Sequence, residues 1–445
     1  MDVVCFQSKD LTTNNEDTTP IDNPFPPEIL PAGALTPRTD RAVISPNPPD
    51  RTPIKRMVPG IQVQGRFADD PKGYARFLLR LPDDWNGRLV VAGASGTRSE
   101  FNGDFAWSDY VVQKGYAYAS QNKGTLNLSA STADDPRACR LNQVPPPIYF
   151  HEYPLEKQWT DWSDYMIAAA RLAHGALRAN YGHPPRHTYA VGISNGGYQV
   201  RKAIENAPEL FDGGVDWEGT FVQNILSDLP PALKNYPDYA AAGFDPNSEA
   251  AQNILAAGYG PDIVLPDRSN SLYLRHFLSF WDITQALFQK RFDPTYNTYG
   301  SGTENYDLAA RAEITAVAER VSHVATTGRI QRPLVSLAGT LDALLPIRRH
   351  ARAYAESVRR FQGEHVLRHA DYRLYEIQNG NHLDGYKSIF PQLECIQPHA
   401  QHAFDLLVQH VEHGMPLPPD QCVPRGGSIS NPPAQPGPCR ELFVR

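Results

Sequence analysis

Short apolar blocks, bounded by Gly, Pro, Asn and Asp, recur along the chain. They predict strands at Ile61–Phe67, Tyr74–Leu81, Leu89–Gly93, Tyr116–Ser120 and Tyr189–Ile193, and later at Leu334–Ala338 and Tyr372–Ile377. Helical periodicity lies between them at Asp164–Tyr181 and Gly197–Asn206, the second run stopping before Pro208. Strands alternating with helices predict an α/β fold with a mostly parallel central sheet and helices on both faces. From about Gly219 to Gln331 the alternation stops. Helical runs at Glu249–Ala257, Ser271–Phe288 and Asp307–Val324 sit among aromatic-rich loops without a convincing strand. This predicts a helical lid, 219–331, inserted into a core made of 60–218 and 332–415. Residues 1–59, rich in Pro, Thr, Asp and Asn, read as an extended arm packed on the body, and 416–445 as a C-terminal tail. There is no internal repeat.

Composition narrows the function classes. The 445 residues are 41% hydrophobic, enough for a large core. The net charge is −7 and no Lys/Arg run marks a nucleic-acid surface. No stretch approaches ~18 uninterrupted apolar residues, so no membrane partner is expected. The first 59 residues lack the basic start, apolar run and small-residue cleavage site of a secretion signal. The expectation is therefore either a cytoplasmic protein or one matured from a longer precursor. Of five cysteines, Cys422 and Cys439 flank a Pro/Gly-rich loop with little to bury. A disulfide closing that loop contributes ~3 kcal/mol in the chain-entropy model. It favours an oxidising compartment, secreted or periplasmic, over the cytoplasm. Cys139 with Cys395 is a further pairing without support, and Cys5 makes the count odd.

The chemistry concentrates at residues 188–198, TYAVGISNGGY. They contain G-x-S-x-G as Gly192-Ile193-Ser194-Asn195-Gly196, between a β-rich run and a helical run. That is the strand–turn–helix setting of a nucleophile elbow, whereas the pattern alone also fits an inert glycine-rich turn. Ser194 on such a turn needs tiny neighbours two residues away, and Gly192 and Gly196 supply them. The following helix start offers the Asn195 N–H as an oxyanion donor. A serine needs a base, and the base an orienting acid, which on this kind of sheet follow in the order Ser, acid, His. His382, in the loop 378–385 (QNGNHLDG), follows the last strand-like run. His323, His350, His365 and His369 lie in or near helical runs and read as surface residues. Asp342 follows the buried strand begun at Leu334, where open α/β sheets place functional groups. It also reads as a helix cap, and Asp384 is the fallback acid. The turn after Leu89–Gly93 offers a second oxyanion donor, Ala94 or Ser95.

Several stretches resemble the tannase and feruloyl esterase family of α/β-hydrolases. They are Trp85-Asn-Gly-Arg, the run Gly115-Tyr-Ala-Tyr-Ala-Ser-Gln-Asn-Lys-Gly, and above all Tyr181 through Gly197, continuing into Pro208-Glu-Leu-Phe-Asp-Gly. The Ser-Asn-Gly-Gly and Asn-Lys-Gly-Thr phrases are also similar to 3-hydroxybutyrate oligomer hydrolases. The resemblance covers about Ile61–Trp217 and the short Asp342 and His382 segments. It implies an α/β-hydrolase fold and a serine carboxylic ester hydrolase acting on esters of aromatic acids or short hydroxyacids. Members of that family commonly join a Cys before the nucleophile to one after the catalytic His. Here those positions are Ile193 and Leu383, a paired loss that is consistent with Ser194 and His382 acting together. The family's calcium loop has no counterpart among residues 219–331, so no metal or other cofactor is expected.

The expected reaction is ester hydrolysis through an acyl-enzyme. Ser194 attacks, His382 shuttles the proton, Asp342 steadies the imidazolium, and Asn195 with Ala94 or Ser95 binds the oxyanion. Phe277, Phe280, Trp281, Phe288 and Tyr296 are candidates to line an aromatic substrate pocket, though aromatics at helical spacing also build cores. The expected partner is a small or oligomeric ester. Rival readings are a serine peptidase, an acyltransferase and a non-catalytic binding protein on the same fold.

Overall fold

The computed structural model describes residues 3–15, 41, 44–48, 50–70, 73–96, 98–128, 151–153, 160–293, 296, 303–312, 315–364 and 370–445. Its strands are β1 (Val3–Ser8), β2 (Gly60–Arg66), β3 (Arg76–Pro82), β4 (Arg88–Gly93), β5 (Ala117–Gln121), β6 (Leu126–Leu128), β7 (His151–Tyr153), β8 (His187–Ile193), β9 (Gly213–Trp217), β10 (Leu334–Gly339), β11 (Tyr372–Ile377), β12 (Gln421–Val423) and β13 (Gln435–Pro436). Apart from the β6·β7 pair they form one sheet in the order β1-β2-β3-β5-β4-β8-β9-β10-β11-β12-β13. From β5 through β12 every neighbouring pair is parallel, while β1, β2, β3 and β13 join antiparallel at the two sides.

The central strands are buried on both faces, which explains their unbroken apolar runs. Along β4, Val90 and Ala92 face one hydrophobic cluster and Leu89 and Val91 the other. Helices Thr160–Tyr181, Asn195–Asn206 and Ala351–Glu364 cover one face through residues such as Met166, Ile204 and Tyr354. Helix Gln397–His413 covers the other through Phe404 and Leu407. Strand order reverses about β4, whose neighbours β5 and β8 both follow it in sequence. Crevices at the carboxyl ends of strands beside such a reversal are where open α/β sheets bind ligands.

Three expectations need amendment. The N-terminal arm contributes an edge strand, β1, its VVCFQS run pairing antiparallel with β2; most of the arm lies outside the described residues. The insertion between β9 and β10 begins with a helix, Val222–Ala241, which its Pro230, Pro231 and Pro237 argue against in sequence. It persists because Ile225, Leu226, Leu229, Leu233 and Tyr236 bury one face in the core. His350 is not a surface residue: it is 2% exposed, accepts the Phe221 N–H at Nδ1, and faces Asp228 at 3.0 Å. His323 is exposed, and His365 and His369 lie outside the described residues. Among the described residues no helix is long and apolar enough to cross a membrane.

The tail is stitched to the sheet. Cys422 in β12 bonds Cys439, whereas Cys5 and Cys395 are free among the described residues and Cys139 lies outside them. Beyond the disulfide, Leu442 accepts a hydrogen bond from Thr340 Oγ1, and the Val444 N–H donates to Asn379 Oδ1 at 2.9 Å. The tail thereby braces the loops that carry Asp342 and His382. Replacing both cysteines by Ser is expected to remove ~3 kcal/mol of stability and lower the thermal midpoint. A midpoint unchanged in calorimetry rules the bond out as the tail's anchor.

Candidate active site

Ser194 closes β8 with φ 59° and ψ −121°, a backbone state that a non-glycine residue adopts only under constraint. The constraint is local. The Ser194 N–H donates to Trp217 O at 2.9 Å, and Ser194 O accepts from Tyr198 N–H at 3.0 Å and Thr220 N–H at 3.3 Å. A Cβ on Gly192 would lie 2.4 Å from the Gly196 backbone, and one on Gly196 would lie 2.4 Å from Gly93 O. Any larger residue at either place forces strand and helix apart. The elbow read from the sequence thus has its glycines where backbone meets backbone.

Asp342 and His382 leave the carboxyl ends of adjacent strands β10 and β11. Their loops are cross-bonded, Leu341 N–H to Gly380 O at 2.8 Å and Asn379 N–H to Thr340 Oγ1 at 2.9 Å. His382 Nδ1 lies 2.8 Å from Asp342 Oδ2, and both side chains are buried. Asp342 Oδ1 accepts the Leu344 and Leu345 N–H groups at 2.8 and 2.7 Å. Burial raises the Asp342 pKa, but the adjoining His382 and these hydrogen bonds outweigh it and hold the carboxyl below its ordinary value. The fallback, Asp384, is engaged elsewhere: it accepts the Ile396 and Gln397 N–H groups at the start of helix Gln397–His413. Burial pushes its pKa to about 7. Ile193 and Leu383 are both buried in one hydrophobic cluster.

A third carboxyl, which the sequence did not bring forward, faces this pair. Glu218 follows β9 with φ 50°, and its Oε2 lies 3.6 Å from His382 Nδ1. It accepts Gly339 N–H at 3.0 Å and Trp217 Nε1–H at 3.2 Å. Burial and then the charge of Asp342 push its pKa well above the ordinary carboxylate range. Glu218, Asp342 and His382 are also the group of described residues whose ligand atoms could converge on a metal, within 4.8 Å of one another. His382 Nδ1, the ring atom facing both carboxyls, is hydrogen-bonded to Asp342 at 2.8 Å.

Two loops present backbone N–H groups beside Ser194. Asn195 N–H opens its helix and has no partner inside it. In the other loop, Ser95 N–H is engaged by Asn102 Oδ1 at 3.0 Å, and Ser95 O accepts from the Lys123 ammonium. The Asn102 bond engages Ser95 and leaves Ala94 as the candidate of the two donors weighed in sequence. Gln199 ties the loops together, its Nε2 donating to Ala94 O at 2.7 Å and to Asn195 O at 2.9 Å. Its Oε1 in turn accepts from Gln121 Nε2 at 2.5 Å.

A small pocket, partly open to solvent, meets Ser194 and Asn195. Its walls are Ile225, Leu287, Phe288, Leu344 and Leu345, with the hydroxyl-bearing Thr220 and Thr284. Leu344 and Leu345, the residues bonded by Asp342, link the acid loop to this space. Of the five lid aromatics, Phe288 lines it. Phe277 and Trp281 pack instead with Tyr236, Phe280 with His276 and Tyr296 with Tyr306. Trp281 is fully buried and donates Nε1–H to Ala343 O at 2.6 Å. For these four, helical spacing marked core and inter-helix packing.

The sheet order, the serine on its strained turn and the histidine–carboxylate pair at the strand ends define an α/β-hydrolase fold. Solved structures share it: feruloyl esterase B from Aspergillus oryzae superposes with TM-score 0.53 at 13% identity, over 84% of this chain and 86% of that one. An esterase from the same organism gives TM-score 0.52 at 13% identity, over 84% and 85%. In sequence, a family model described as 3HB-oligomer hydrolase matches residues 288–436, which include Asp342 and His382. The D-(-)-3-hydroxybutyrate oligomer hydrolase of Burkholderia thailandensis is 31% identical over 119 residues. That match spans 25% of this chain and 16% of the relative's length. The chain thus resembles feruloyl esterase B in fold and, over part of its length, the 3HB-oligomer hydrolases in sequence.

Proposed function

We propose that the protein is a carboxylic ester hydrolase working through an acyl-enzyme on Ser194, with short hydroxyacid esters or oligoesters as substrates. The observation that carries the reading is Ser194 on its positive-φ turn at the carboxyl end of β8, on the same edge of the sheet where β10 and β11 deliver the His382–Asp342 pair. In this mechanism His382 removes the Ser194 proton and returns it to the leaving alcohol, while Asp342 fixes the imidazole tautomer and balances its charge. The N–H groups of Asn195 and Ala94 stabilise the oxyanion. The helical insertion forms the acyl side of the cavity and excludes water.

The hydroxyacid branch is favoured over the aromatic one by Thr284. It is 6% exposed in a largely apolar wall, and its Oγ1 has no hydrogen-bond partner among the described residues. A helical Thr commonly returns its hydroxyl to the carbonyl four residues back. A buried hydroxyl left unpaired favours an acyl group that brings its own polar substituent. The relatives named 3-hydroxybutyrate oligomer hydrolases support the same choice.

The test is hydrolysis of p-nitrophenyl butyrate, p-nitrophenyl 3-hydroxybutyrate, methyl ferulate and a 3-hydroxybutyrate oligomer, with the matching anilides as peptidase controls. The hydroxyacyl esters are expected to lead. Thr284→Val, which removes only the hydroxyl, is expected to lower the 3-hydroxybutyrate to butyrate ratio of kcat/KM about tenfold. An unchanged ratio removes Thr284 from recognition, and a preference for methyl ferulate or for anilides overturns the substrate reading.

A further inference from the structure

The Asp342–His382 pair leaves Glu218 without a part in the mechanism, although its carboxyl faces the same imidazole nitrogen. We propose that Glu218 is a reserve orienting acid for His382, able to take over the Nδ1–H when Asp342 is lost. The inference rests on the triad reading above.

The geometry is specific. Glu218 begins the turn after β9, and Asp342 sits in the turn after β10, its parallel neighbour. Two successive strand ends thus aim carboxyls at His382, Asp342 Oδ2 at 2.8 Å and Glu218 Oε2 at 3.6 Å from Nδ1. Glu218 is 2% exposed, so no water shell competes for it. Its backbone is held in the left-handed region, with the Glu218 N–H bonded to Leu337 O at 2.7 Å and the carboxyl fixed by Gly339 and Trp217. Gly339 N–H holds Oε1 and Trp217 Nε1–H holds Oε2, and in that pose Oε2 also stands next to the imidazole nitrogen. Two carboxylates this close cannot both ionise cheaply in a buried site, and the one bonded to histidine keeps the charge. The charged or titratable groups facing Glu218 are Asp342, His382 and, farther away, Asp384. His276, buried nearby, faces Asp342 and His382.

Removing the Asp342 side chain deletes the like charge and vacates the space through which Glu218 must shift to reach hydrogen-bond distance. Glu218 then ionises. When the Ser194 proton moves to His382 Nε2, the Nδ1 proton stays on nitrogen, and the Glu218 carboxylate balances the imidazolium. Glu218 acts through His382 and is a positioning residue.

The experiment is a double-mutant cycle of Asp342→Ala and Glu218→Gln, with His382→Ala as control, read as kcat on p-nitrophenyl butyrate and as the downfield Nδ1 proton resonance. Loss of the acid from serine-protease triads costs about 10⁴-fold. Here Asp342→Ala is expected to cost only about tenfold and to keep the downfield resonance. Glu218→Gln is expected to cost about threefold in the wild type and at least about thirtyfold in the Asp342→Ala background, where the resonance disappears. Equal cost in both backgrounds overturns the proposal and marks Glu218 as structural. Should the double variant fail to fold, Asp342→Ala alone decides, since a loss near 10⁴-fold overturns it. A His382→Ala protein with near-normal kcat instead overturns the triad reading, a result the other arms do not mimic.

Discussion

Ser194→Ala is expected to lower kcat for ester hydrolysis by at least about 10⁴-fold, leaving a folded protein that no longer reacts with a fluorophosphonate. The size follows from what the substitution removes. The nucleophilic oxygen goes, while the N–H groups of Asn195 and Ala94 stay in place, so any residual rate comes from oxyanion stabilisation and substrate positioning alone. The backbone that holds the elbow does not depend on the hydroxyl. Its bonds to Trp217, Tyr198 and Thr220 are main-chain bonds, and Ala carries the same Cβ as Ser. Because nucleophile and base act as a unit, adding His382→Ala to Ser194→Ala is expected to cost almost nothing further. Burst kinetics and intact-mass labelling check both statements. A wild-type protein that hydrolyses esters but is labelled elsewhere, or a variant with unaltered turnover, dissolves the assignment of Ser194.

Much of this site is readable without coordinates because its parts are local. The elbow is one contiguous strand–turn–helix, so Ser194, Gly192 and Gly196 declare themselves within a few residues. Asp342 follows an apolar strand, LVSLAG, and His382 a β-rich one, YRLYEI, and strand ends are where the fold displays side chains. Glu218 escaped for the complementary reason. Its strand β9 reads GGVDW, with two glycines and an acid in five residues, and so lacks the apolar run that marks its neighbours. Those features are tertiary. Gly214 lies against Val200 and Ile204, where a Cβ would come within 2.9 Å of Val200. Asp216 is buried because Arg201 meets it at 2.6 Å and Ser336 at 2.7 Å. A strand shaped by close helix approach and a buried ion pair hides from periodicity, and whatever sits at its end hides with it. The lid aromatics show the opposite failure: their spacing was visible, but which of them meets the cavity depends on how the helices turn against one another.

Gln199→Leu is expected to lower kcat about 10²- to 10³-fold with KM nearly unchanged, the second-largest effect among the changes considered. Gln199 touches no reacting atom, so the loss must arise from what it holds. Its amide bonds the carbonyls of Ala94 and Asn195, the residues proposed to supply the oxyanion donors. Each carbonyl orients the peptide that follows its donor. The donor peptides are fixed independently, at Ser194 O by two N–H groups and at Gly93 by contact with Gly196. Gln199 therefore clamps the far side of both donors at once and sets the distance between two loops that come from different strands, β4 and β8. Nothing local in the sequence joins them. Leucine has similar bulk but leaves the Ala94 carbonyl and the Gln121 amide without their buried partner. Asn195 O keeps the backbone bond of helix Asn195–Asn206, so the peptide after Ala94 is the one freed to shift. Removal of one oxyanion donor costs about 10²- to 10³-fold in kcat in enzymes of this mechanism, and a shift of the Ala94–Ser95 peptide that carries the Ala94 N–H out of line acts in the same way. Ground-state ester binding depends on the acyl cavity, hence the steady KM. A boronate that mimics the tetrahedral intermediate separates the two contributions. Its affinity is expected to fall in proportion to kcat in Gln199→Leu, whereas a variant that loses kcat and keeps full boronate affinity has its donors intact, and the clamp must then be sought elsewhere.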